Sequence, residues 1–123
     1  MKHILVIDDS PTIRISVEYA LKKVNIPIRQ AENGQDALQK FRDIKAAGDD
    51  VALCICDINM PVMDGISFIR EFRKIDKFTP VLVLTTESEQ DKIKAGKEAG
   101  ASGWIVKPFQ PAELLGVVEK FIR

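Results

Sequence analysis

Five short apolar runs punctuate the chain, at residues 4–7, 26–29, 51–56, 81–84 and 104–106. Each is brief and rich in β-branched residues, which suits a strand on a half-buried or buried sheet better than a helix. Between the runs the spacing changes. Ile13, Val17, Ala20, Leu21 and Val24 recur at helical intervals, as do Ile66, Ile69, Phe72 and Arg73. Strands therefore alternate with helices. Ser10-Pro11 and Gln110-Pro111 put proline at a first helical position, Asp64 can cap the helix that follows it, and Gly48, Gly100 and Gly103 stand as stop signals after helical segments. Five β/α units in so short a chain predict an α/β fold, with a parallel sheet covered by helices on both faces and right-handed crossovers.

Polar residues interrupt this pattern at particular places. Asp8 and Asp9 follow the first strand, Asp57 the third, Thr85 and Thr86 the fourth, and Lys107 the fifth. All fall at carboxyl ends of strands, the edge at which an open parallel sheet holds its ligand crevice. A strand order that makes the first and third strands neighbours brings Asp8, Asp9 and Asp57 into one pocket. Three carboxylates so placed repel one another unless a cation intervenes, and hard oxygen ligands suit Mg²⁺. Two acids that merely ended a strand and capped a helix are a weaker explanation, because Ser10 already serves as the cap. A carboxylate beside such a cation can attack phosphorus, with Lys107 and Thr85 available to stabilise phosphoryl oxygens.

At 123 residues with 46% hydrophobic content, the chain suits one compact domain, residues 1–123, with no separate effector domain. Lysine plus arginine equals aspartate plus glutamate at 18 each, so no basic surplus favours nucleic acid as a partner. Cys54 and Cys56 sit two apart in an apolar strand, which points both at the same buried face and argues for packing over a disulfide or metal pair. The first apolar run stops at two aspartates, unlike a secretory signal or membrane span, so the expected location is the cytoplasm, with no membrane contact.

The stretches Val6-Ile7-Asp8-Asp9-Ser10, Asp57-Ile58-Asn59-Met60-Pro61-Val62-Met63-Asp64-Gly65, Leu84-Thr85-Thr86 and Lys107-Pro108-Phe109 resemble, in order and spacing, the motifs of two-component response-regulator receiver domains. The likeness covers essentially the whole chain. It implies a flavodoxin-like, doubly wound five-stranded sheet in the order 2-1-3-4-5 and a cis Lys107-Pro108 bond. It implies Mg²⁺ held by Asp8, Asp9, Asp57 and the backbone carbonyl of Asn59, and phosphate accepted by Asp57 from a histidine kinase. Lys107 and Thr85 would contact the phosphoryl group, Asn59 and Glu87 would tune its lifetime, and Trp104 would couple the site to an output surface that includes Ile93. Such a chain is a signalling switch and not an enzyme beyond its own phosphorylation and dephosphorylation.

Within the family the likeness is greatest to single-domain chemotaxis receivers, through residues 101–109 and the end at Arg123. That reading expects a monomer that binds a flagellar motor switch protein or another chemotaxis component, with a phosphatase as a further candidate partner. Tryptophan stands at 104 where tyrosine is best known in flagellar binders, and Gln90 and Val117 stand where some of them carry lysines. A phosphorelay intermediate and a phosphate sink are alternatives outside chemotaxis. Two other classes fit less well. A haloacid-dehalogenase-type phosphatase needs Asp-x-Asp after the first strand, and a flavin-binding module needs a phosphate loop there, which two carboxylates oppose.

Overall fold

The computed structural model describes residues 1–86 and 91–122. The elements run β1 (Lys2–Ile7), α1 (Pro11–Ala20), β2 (Ile28–Ala31), α2 (Gly34–Ala46), β3 (Asp50–Asp57), α3 (Gly65–Ile75), β4 (Val81–Thr85), α4 (Ile93–Ala99), β5 (Gly103–Val106) and α5 (Pro111–Phe121). All strand pairs are parallel and the sheet order is β2-β1-β3-β4-β5, the doubly wound flavodoxin-like arrangement.

Alternation along each strand builds two cores, one on each face of the sheet. Leu5, Ile7, Cys54, Cys56, Val81 and Val83 face α2 and α3. Ile4, Val6, Leu53, Ile55, Leu82 and Leu84 face α1 and α5. The central strands are thus apolar on both sides, as a parallel sheet requires. Cys54 and Cys56 are free, buried and on one face.

Several boundaries depart from the pattern read above. The second strand begins at Ile28, not Ile26, because Pro27 has no N–H to give the ladder; its carbonyl accepts from Ile4 N at 2.9 Å just before pairing starts. The first helix closes at Ala20 with Leu21 as its cap, so Val24 lies beyond it. Gly103 is no helix stop; it opens β5, and the stop is Gly100, in the left-handed conformation at φ 118°. Ser10 and Asp64 cap their helices by accepting from Ile13 N and Ser67 N, whereas Gln110 makes no side-chain cap bond. The Lys107-Pro108 bond is cis.

Candidate functional site

β1 and β3 are neighbours in register, with Ile7 opposite Cys56, so the residues just after Ile7 and at the end of β3 meet. Asp8, Asp9 and Asp57 each place a carboxylate oxygen within 4.8 Å of the others. Asp8 is 1% exposed, Asp57 is buried, and Asp9 is open to solvent. Asp8 Oδ1 accepts from Ser10 N at 2.9 Å, and Asp57 Oδ1 accepts from Ile58 N at 2.9 Å.

Lys107, carried in from the end of β5, donates to Asp57 Oδ1 at 3.0 Å and lies 3.8 Å from Asp8 Oδ2. Thr85 ends β4, fully buried, and its carbonyl accepts from Lys107 N. Among the described residues, Asp8 Oδ2 and Thr85 Oγ1 are buried side-chain oxygens without a hydrogen bond. Burial is the chief cause that lifts the Asp8 carboxyl from 3.8 to about 6; the Ser10 amide opposes the rise, and the charge of Asp57 adds to it.

These residues fit a hard divalent cation. The donor set is all oxygen, the carboxylates are close enough to share one ion, and one buried carboxylate oxygen, Asp8 Oδ2, makes no hydrogen bond among the described residues.

Gly65 shapes the site in a way the sequence reading did not anticipate. A Cβ on it would lie 2.0 Å from the carbonyl oxygen of Asp57, so α3 begins hard against the acceptor strand, and Gly65 N donates to Ile58 O at 2.8 Å. Asn59 is exposed, and its side-chain oxygen accepts from Lys92 at 2.9 Å, a link between the β3–α3 connection and the start of α4. Glu87 and Gln90 lie outside the described residues. Trp104 is 41% exposed with Lys97 Nζ 4.2 Å above its ring, and with Ile93, Gly96, Ala101 and Gly103 it lines a small apolar cavity under α4. Ile58, next to the acceptor aspartate, lines the same cavity.

The response regulator receiver domain matches residues 4–119 of this sequence. The chain belongs to the response regulator receiver family. Receivers are phosphoryl-accepting signalling switches that bind Mg²⁺ through acidic residues and work with histidine kinases and downstream effectors. This receiver is 38% identical to the transcriptional regulatory protein PrrA of Mycobacterium tuberculosis over 98% of its own length and 49% of PrrA, so it spans about half of that relative. It is 32% identical to the chemotaxis protein CheY of Thermotoga maritima, covering 97% of this chain and 96% of that protein. Among solved structures, Vibrio cholerae CheY4 superposes with a TM-score of 0.86 at 38% identity, covering 98% of both chains. No described helix of the receiver is long and apolar enough to cross a membrane.

Proposed function

We propose that this receiver takes a phosphoryl group on Asp57 from a phosphohistidine of a histidine kinase. The observation that carries this reading is the trio of Asp8, Asp9 and Asp57 oxygens within 4.8 Å, with Lys107 Nζ 3.0 Å from Asp57 Oδ1. A carboxylate oxygen of Asp57 forms the new P–O bond as the donor's P–N bond breaks, and the imidazole leaves with the electron pair. Asp8, Asp9 and Asp57, with the Asn59 carbonyl expected beside them, would hold Mg²⁺. The bound cation supplies charge neutralisation for the incoming phosphoryl oxygens. Lys107 transfers its hydrogen bond to a phosphoryl oxygen, and the Thr85 hydroxyl turns to donate to another. To Asn59 and, by the family resemblance alone, Glu87 we assign control over the access of hydrolytic water.

In the presence of Mg²⁺ and acetyl phosphate the protein should acquire one acid-stable, base-labile acyl phosphate, detected by intact mass. Asp57→Asn should stay unlabelled. Lys107→Ala should lose signalling while Mg²⁺ affinity holds. Label retained in Asp57→Asn, or labelling undiminished by a chelator, overturns the assignment.

The output we assign is chemotaxis, in the cytoplasm, through a flagellar motor switch protein. The support is the likeness to chemotaxis proteins, 32% identity to CheY of Thermotoga maritima and 38% to CheY4 of Vibrio cholerae. A second reading is a relay or sink for phosphate outside chemotaxis; the equal 38% identity to PrrA, a transcriptional regulatory protein, supports only its first premise, an output other than chemotaxis. Capture of a motor switch protein only after beryllofluoride treatment supports the first; beryllofluoride-independent failure to bind it, with phosphate passed on to a histidine phosphotransfer protein, supports the second.

A further inference from the structure

Asp8 is fixed at three points, two of them from outside its own loop. Its N–H donates to Ala31 O at 3.0 Å, continuing the β1–β2 ladder by one residue. Its Oδ1 accepts from Ser10 N. Its carbonyl oxygen accepts from Arg14 Nη1 at 2.5 Å. These restraints leave Oδ2 as the oxygen of Asp8 with no hydrogen bond among the described residues.

Arg14 is itself held. Its Nε donates to Gln30 Oε1 at 2.8 Å, and Gln30 Nε2 donates to Glu18 Oε1 at 2.5 Å. Chemistry dictates the orientation of that amide, because a guanidinium only donates and a carboxylate only accepts. A chain of three hydrogen bonds thus runs from Glu18 on α1 through Gln30 on β2 and Arg14 on α1 to the backbone of Asp8. The planar guanidinium, with its Nε and Nη1 donors in fixed relation, transmits the position of Gln30 to the Asp8 carbonyl with little loss to rotation.

We propose that Arg14 is a positioning residue for the metal-binding carboxylates. Held by Gln30 and Glu18, it sets the height of the loop that presents Asp8 and Asp9, and so sets cation affinity without touching the phosphoryl group. The inference rests on the metal role proposed above for those two acids.

The test measures Mg²⁺ binding by calorimetric titration beside the rate of phosphorylation by acetyl phosphate at saturating Mg²⁺. Displaced outer partners of metal ligands commonly weaken binding about tenfold or more, and that is the loss expected for Arg14→Gln, with the saturated rate unchanged within about twofold. Gln30→Leu should give a smaller loss in the same direction and none in the Arg14→Gln background, because it acts through Arg14. The exchange Glu18→Gln with Gln30→Glu keeps an acceptor for Arg14 and a donor for residue 30, and should restore affinity. If Arg14→Gln does not fold, Arg14→Lys, which keeps the charge but not the fork, should show the same direction of loss. Affinity unchanged in the Arg14 and Gln30 variants, a fall in the saturated rate as large as the loss of affinity, or additive losses in the double variant overturns the proposal. Failure of the wild-type protein to bind Mg²⁺ overturns the metal reading beneath it instead.

Discussion

Asp8 carries a conflict between stability and function. Burial holds its carboxyl at about 6, above the ordinary 3.8, so the folded metal-free protein binds a proton more tightly than the unfolded chain does. As pH rises from about 4 to above 6, that preference is lost and the folded state is disfavoured by about 3 kcal/mol. Asp8→Asn removes the titration. With chelator present, the variant should be more stable than wild type at pH 7, and the difference should shrink towards pH 4. Urea unfolding at the two pH values measures this, and a gap independent of pH would contradict it. Val62 presents a different strain. It is β-branched, 76% exposed and at φ 68°, with Met63 N bonded back to Pro61 O at 2.7 Å, the geometry of a left-handed γ-turn. Asparagine tolerates that conformation better, so Val62→Asn should stabilise the protein by about 1 kcal/mol. A thermal melt shifted downwards would show that the turn gains more from the valine than it loses.

Among the helices, α4 is the shortest. It has seven residues, no side-chain cap bond, and Gly96 at its centre, where a Cβ would meet nothing nearer than Ala101 Cβ at 4.0 Å. Gly96→Ala should therefore stabilise the helix by roughly 0.5–1 kcal/mol and slow amide exchange across it. Unchanged exchange in α4 would show that its opening is not local. The same element marks where the sequence stopped being informative. Strand runs and the polar residues at their ends were legible, because the periodicity of a doubly buried sheet and the clustering of Asp8, Asp9, Asp57, Thr85 and Lys107 are both written in residue order. The start of β2 was misjudged because hydrophobicity at Ile26 outweighed the missing donor of Pro27. The Arg14–Gln30–Glu18 chain and the Lys92–Asn59 bond were illegible, since each joins elements whose facing depends on helix rotation, and an arginine or lysine on a helix reads as solvated charge. Gly65 was readable only as part of a motif; its need is a close approach between backbones.

For the whole molecule, cation binding and folding are one equilibrium. A ligand that binds only the folded state stabilises it in proportion to the logarithm of its excess over Kd. In the proposed ligand set Asp8, with its carboxyl at about 6, must shed its proton to bind the cation, so Mg²⁺ affinity should fall about tenfold between pH 7 and pH 5. The rise in melting temperature at a fixed Mg²⁺ concentration should shrink accordingly, and an equal rise at both pH values would remove Asp8 from the ligand set.

The two thiols on the central strand give the molecule an internal clock. Burial raises both well above the ordinary thiol range, so neither supplies thiolate to a reagent while the sheet is closed. They lie within β3, between β1 and β4. Both side chains face α2 and α3, so exposing either one means lifting those helices off the sheet, an opening of the core whose free energy approaches that of global unfolding. An aromatic disulfide reagent should accordingly label Cys54 and Cys56 together, slowly, and at a rate that climbs with urea in step with the unfolded fraction. Phosphorylation and Mg²⁺ should each slow the clock in the intact protein, acting at Asp57, whose carbonyl oxygen accepts from Cys56 Sγ at 3.1 Å. Rapid labelling of one thiol in native buffer would reveal a partial opening of the layer formed by α2 and α3.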